Sequence, residues 1–262
     1  MRSERPILAV TGLAAEARIA SGRGVIAVAG GGDPARLALL VQAAIARGVR
    51  AVISFGIAGG LRPGLGAGTV VIARAVDDGE TRVEAAPAWV ERLARALPHA
   101  HLADIAGVDA AVCGAADKAE LYRRTGADAV DMESHVAARL AASNGLPFAA
   151  LRVVADSAER AIPPAALAGM RHDGSTDIGA VLRSLGGRPG QLPGLIRTAL
   201  DARAAFRSLA SSRRDLGSLF GLSDLRQDAT SDSMFDLPLG IGGGFAPSLG
   251  ANHEAELRAG RP

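Results

Sequence analysis

Phe148-Ala149-Ala150-Leu151-Arg152-Val153-Val154-Ala155-Asp156 is a largely apolar run that ends on a carboxylate. Its length and its aliphatic side chains predict a buried strand over Phe148–Val154, with Asp156 just past the strand's end. In open α/β sheets ligands bind beyond the carboxyl ends of the strands, so Asp156 is placed to meet one. About two dozen residues upstream, Asp131-Met132-Glu133 adds two more carboxylates and a thioether. Three acids and one methionine gathered at strand ends predict a site with chemistry.

Outward from that stretch, strand-like runs alternate with helical ones. Ile7–Val10 and Val25–Ala29 read as short strands, and Ala51–Phe55 as a buried strand closing on Gly56-Ile57-Ala58-Gly59-Gly60. Thr69–Val76 and Val108–Cys113 read as further strands, and Ala129–Met132 as a strand leading into a helix over Glu133–Ser143. Ala35–Arg47, Pro87–Leu97 and Lys118–Arg124 have helical spacing, the first with Asp33 as N-cap and Pro34 at the first helical position. Such alternation predicts an α/β domain in three layers, a mixed, mostly parallel central sheet flanked by helices. The domain is expected over residues 1–213. Residues 214–262 mix Gly, Ser, Asp and Pro, with Gly240–Gly244 nearly all glycine, and predict a flexible tail.

Composition narrows the classes. The chain has 262 residues, 48% hydrophobic and 21% charged, enough for one domain of roughly 200 residues plus extra material. Net charge is +2 with no block of like charges, and aromatics are 3%, which argues against nucleic acid as a partner. Cys113 stands alone, so no intrachain disulfide framework is possible, which fits a reducing compartment. The apolar run near the N-terminus is too short for a signal peptide, and no stretch has the length of a membrane span. The expectation is a cytoplasmic protein.

Gly30-Gly31-Gly32-Asp33-Pro34-Ala35 matches a glycine-rich turn that can receive a phosphate on free N–H groups, with Arg36 as a cationic partner. A dinucleotide site would also need an acid at the next strand end, where Ser54-Phe55-Gly56 stands instead. A plain strand-to-helix turn is the other reading. The segment Gly56–Gly60 lets backbone approach a ligand closely, so Ile57, Ala58 and Gly59 join the candidates. Glu16 follows the first strand and could orient a water. The five histidines show no metal-ligand spacing, so no metal is expected. Leu192, Leu195, Ile196, Ala199, Leu200, Phe206 and Leu209, interleaved with Arg197, Arg203 and Arg207, form a basic amphipathic helix. Packing on the core is the plain reading, and contact with an anionic membrane surface the functional one.

Gly12…Glu16, Gly56-Ile57-Ala58-Gly59-Gly60, Asp131-Met132-Glu133 and Ala155-Asp156 occur in the order and spacing of a known group. They resemble the purine nucleoside phosphorylase and methylthioadenosine/adenosylhomocysteine nucleosidase superfamily over roughly residues 6–160. Within it, Val10–Ala20 and Ser54–Leu61 most resemble the hopanoid-associated phosphorylases, implicated in removing adenine from adenosylhopane. The resemblance implies a nucleoside-phosphorylase-like fold and cleavage of an N-glycosidic bond, giving adenine and a ribosyl- or phosphoribosyl-hopane. By position, Met132 would pack on the ribose face and Glu133 would bind its 2′- and 3′-hydroxyls. Asp156 would protonate purine N7, and Glu16 would engage the attacking water. Ile57 stands where the nucleosidases usually carry serine, Asp131 replaces a glutamate, Ala155 replaces a serine, and no base-stacking aromatic is found near Gly114–Lys118.

The nucleophile stays open at this point. Glu16 favours water, because a carboxylate repels phosphate, whereas Arg36, Arg62 and the glycine loops could bind phosphate as a co-substrate. No organic cofactor is implied. A soluble methylthioadenosine-type nucleosidase or purine nucleoside phosphorylase is the alternative enzyme, and a nucleoside- or lipid-binding module the non-enzyme reading. The expected partners are a lipid-linked nucleoside, a membrane surface touched peripherally, and further copies of the chain in a homo-oligomer.

Overall fold

Ile7–Thr11 (β1) is buried at every residue and lies between two parallel neighbours, Val25–Ala29 (β2) and Ala51–Gly60 (β3). Strands without a solvent face need apolar side chains on both sides, which is why these runs do not alternate. The computed structural model describes residues 5–163, 190 and 192–222, all within the compact unit Met1–Ser223. The remaining strands are Val70–Asp77 (β4), Arg82–Glu84 (β5), His101–Gly107 (β6), Ala129–Asp131 (β7) and Phe148–Asp156 (β8).

The sheet closes on itself. β3 pairs parallel with β8, β8 antiparallel with β4, β4 parallel with β6, β6 parallel with β7, and β7 antiparallel with the glycine end of β3. Five of the eight pairings are parallel, as the mixed, mostly parallel expectation holds. The closure was not foreseen, because the short antiparallel contact of Gly59 with Val130 and Gly60 with Ala129 carries no periodic signal.

Helices cover both faces. Pro34–Ala46 (α2) and Ser134–Ser143 (α5) bury Leu37, Val41, Val136 and Ala137 in one core. Ala14–Ala20 (α1), Pro87–Ala96 (α3) and Leu192–Asp215 (α6) bury Ala20, Trp89, Leu93, Ala205 and Leu209 in the other. Ala115–Thr125 (α4) packs Leu121 on a small third cluster. Asp33 caps α2 as expected, accepting from the Arg36 N–H at 3.0 Å.

Three expectations need correction. The strand near residue 108 lies earlier, at His101–Gly107, and Val108–Cys113 is a loop. The strand expected over Ala51–Phe55 runs on through Gly56–Gly60. The packed core runs past residue 213: Leu216, Phe220 and Leu222 are buried, and Trp89 Nε1 donates to Phe220 O at 2.8 Å. From residue 223 onward the expected tail lies outside the described residues. Among the described residues no helix is long and apolar enough to cross a membrane.

Candidate active site

β1, β3, β7 and β8 deliver their ends to one cavity of about 240 Å³. Gly12, Glu16, Gly32, Ile57, Ala58, Gly59, Met132, Glu133 and Asp156 all line it.

One end is anionic and rests on a single buried cation. Arg152 projects from the middle of β8 with no solvent exposure. Its Nε lies 2.9 Å from Asp131 Oδ2 and its Nη1 3.3 Å from Glu133 Oε2. Nη2 donates to Ser54 Oγ at 2.5 Å. Asp131 uses its other oxygen to start α5, accepting the N–H groups of Glu133 at 2.9 Å and Ser134 at 2.7 Å. Asp131 is therefore the anchor that fixes both helix and guanidinium, which aims Glu133 at the cavity.

Glu16 is buried and accepts three backbone donors: Gly12 and Leu13 on Oε2, and Ile57 on Oε1, each at 2.8 Å. The approach is so close that a Cβ on Gly12 would stand 2.7 Å from Glu133 Oε1, and one on Gly56 2.7 Å from Glu16 Oε1. Glycine is required at both positions.

Three carboxylates around one guanidinium cannot all be charged cheaply. Burial raises Glu133 to about 8, against the pull of Arg152 and with help from Asp131 and Glu16. Burial also raises Glu16, opposed by Arg152 and the three N–H groups. Hydrogen bonds to an ionised form favour it, so Glu16 holds the charge and Glu133 the proton.

At the other end, Asp156 terminates β8 with its side chain 17% exposed. Burial raises its pKa, and hydrogen bonding and charge from Lys118 oppose that rise. Lys118, on α4, is fully buried and reaches Asp156 Oδ2.

Residues 5–172 match the family described as the Phosphorylase superfamily. The chain belongs to that superfamily. The expectation of an enzyme of the nucleosidase or nucleoside phosphorylase kind is met at the level of this family. The fold is also that of solved relatives. The 5′-methylthioadenosine/S-adenosylhomocysteine nucleosidase of Neisseria meningitidis superimposes with a TM-score of 0.62 at 17% identity, covering 81% of this chain and 98% of that one. The S-adenosylhomocysteine nucleosidase of Streptococcus pyogenes gives 0.58 at 16%, with 81% and 98% covered. The futalosine hydrolase of Helicobacter pylori gives 0.56 at 15%, with 80% and 97% covered. A sequence comparison with curated proteins finds no significant match.

In this phosphorylase-superfamily fold the candidates divide. Glu16, Met132, Glu133, Asp156, Ile57, Ala58, Gly59 and Gly32 share the cavity. Gly30 and Gly31 do not line it, and their N–H groups already donate to Thr11 O at 2.9 Å and Gly12 O at 2.8 Å. Arg36 is exposed, donates to Gly30 O at 3.3 Å and lies outside the lining. Arg62 also lies outside it, 3.5 Å from Asp128. Sequence reasoning missed Arg152 and Lys118. The available signal for Arg152 was a charge inside a strand that buries both faces.

Proposed function

We propose that the protein hydrolyses the N-glycosidic bond of an adenine nucleoside whose 5′ carbon carries an apolar substituent, with adenosylhopane as the leading candidate. The observation that carries this reading is a pocket with acids at both ends and no arginine or lysine among its described lining residues. A phosphate dianion would need cations facing the cavity, whereas a neutral water needs an acceptor, and Glu16 is one.

The chemistry follows from the acids. Asp156, whose pKa burial raises, donates from its protonated form to purine N7, and the electron pair of the C–N bond departs with the base. The sugar carbon gains positive character beside the negative Glu16, which takes a proton from the water as its oxygen bonds to that carbon. Glu133, whose carboxyl burial keeps protonated to higher pH, can donate to one ribose hydroxyl and accept from the other. The apolar wall of Leu13, Val108, Val112, Val130, Met132 and Ile162 suits a base held by contact rather than aromatic stacking.

Support for a lipid-like 5′ group comes from α6. Thr198 and Ala202 line the cavity while Leu192, Ile196 and Leu200 on the same helix are exposed. The test is adenine release from adenosylhopane in detergent and from methylthioadenosine, each with and without phosphate. Release regardless of phosphate is expected. A phosphorylated sugar product would overturn hydrolysis, release from the small nucleoside alone would remove the lipid, and no release from either would remove the reaction.

A further inference from the structure

Of the 29 lysine and arginine residues in this chain, 28 are arginine, and the one lysine is Lys118. It is also among the largest fully buried side chains, and it does not line the cavity. Its ammonium meets three acceptors: Asp156 Oδ2, Ser157 O at 3.0 Å and Arg160 O at 2.9 Å. An ammonium has three donors on one atom, whereas guanidinium is a flat fork of five. Acceptors converging on a single point therefore call for lysine, at the one position where this arginine-rich chain uses it.

The geometry leaves Asp156 with two unlike oxygens. Oδ2 accepts from Lys118, while Oδ1 has no hydrogen-bond partner among the described residues and belongs to a residue that lines the cavity. We propose that Lys118 is the positioning residue of Asp156: it occupies Oδ2 so that the acid's proton sits on Oδ1, and it steadies the carboxylate left when that proton moves to the base. This rests on the hydrolytic reading above and adds the group that makes Asp156 a one-sided acid. Ser157 and Arg160 belong to the segment directly after β8, so the same ammonium ties that segment to α4 and fixes where Asp156 points.

The other charged or titratable groups acting on Asp156 are Asp201 on α6 and Arg160 after β8, and Cys113 before α4 is in turn influenced by Asp156. Asp201 is held 2.5 Å from Arg160, so that pair largely cancels. Glu159 and Arg197 border the adjoining cavity that Asp156 also lines, and Lys118 is the cation bonded to Asp156 itself. Removing it leaves burial unopposed, and Asp156 then holds its proton to higher pH.

The experiment is kcat and KM against pH for wild type, Lys118→Met and Lys118→Gln, each also in an Asp156→Asn background, with methylthioadenosine or adenosylhopane, whichever the wild type cleaves. In the Asp156 background, kcat is expected to fall by about tenfold or more, KM to change little, and the alkaline limb to move to higher pH. On Asp156→Asn the same changes should cost nothing further, because Lys118 acts through that acid. Equal losses in both backgrounds, or an unmoved alkaline limb, would overturn the proposal and make Lys118 a structural staple. If Lys118→Met does not fold, Lys118→Gln, which keeps a donor to the carbonyls, decides by the same two readouts. A wild type that releases no adenine from either nucleoside overturns the hydrolytic reading itself, a result distinct from failure of the Lys118 assignment.

Discussion

Glu133→Gln isolates the charge balance at the anionic end of the cavity without needing a substrate. Glu133 titrates at about 8 in the folded protein against 4.5 for an ordinary glutamate, with burial as the main cause. A carboxyl whose folded pKa is raised binds more protons folded than unfolded between those two values, so its contribution is fully present below 4.5 and declines as pH rises through 8. Integrated from about pH 5.5 to about pH 8.5, that single group costs the wild type about 3 kcal/mol. Glutamine cannot ionise, yet it keeps an oxygen to accept from Arg152 Nη1, now at 3.3 Å. Urea unfolding of both proteins at the two pH values measures the difference directly. The stability of Glu133→Gln relative to wild type should rise by about 3 kcal/mol across that range, other titrating groups being common to both. Parallel pH profiles, agreeing to within about 0.5 kcal/mol, would refute the claim that Glu133 carries the proton of the cluster.

Gly12→Ala and Gly56→Ala each place a methyl carbon 2.7 Å from a carboxylate oxygen, of Glu133 and Glu16 respectively, inside a packed cluster. Each should cost about 1–3 kcal/mol in stability and displace the acids, so turnover should drop sharply; wild-type kcat/KM in either variant would contradict the site geometry. A chain ending at residue 213 lacks the buried Leu216, Phe220 and Leu222 and the Trp89 hydrogen bond. At about 1.5–3 kcal/mol per buried side chain it should melt well below a chain ending at 222, and equal melting temperatures would show those contacts to be idle.

Much of the fold was legible because its central strands are buried on both faces and the half-buried Val25–Ala29 is just as aliphatic. Ile7–Thr11, Val25–Ala29 and Phe148–Asp156 are aliphatic enough to be recognised by composition alone. Asp131-Met132-Glu133 and Asp156 were legible as a site for a related reason: carboxylates have no place at the ends of such strands unless something pairs with them. The short strands were harder to read. Arg82–Glu84 is a polar edge paired with β4, and His101–Gly107 starts on His101 at a position that alternation with Ala103 and Ile105 would make apolar. The glycine loop at residues 30–32 misled for a physical reason. Its pattern predicts free N–H groups, but β1 ends alongside it and its carbonyls take two of them.

What the sequence could not display is depth. Arg152 and Lys118 are single letters among many cations, and only the fold shows that both are buried beneath carboxylates rather than facing the cavity. That ordering has a consequence for the reaction. Arg152 is spent on Asp131, Glu133, Ser54 and the carbonyl of Ile57, and Lys118 on Asp156 and two carbonyls. Both are engaged by these partners behind the acids and neither lines the cavity, whose described wall presents only acids, aliphatic side chains, one methionine, glycines and one threonine. An enzyme that recruits phosphate would place its cations in front, where desolvating the anion can be offset by direct pairing. Here the cations stand behind, where they set the charge and direction of the acids instead. That arrangement supports water as the nucleophile, and it makes protonation state, not anion capture, the property on which this site depends.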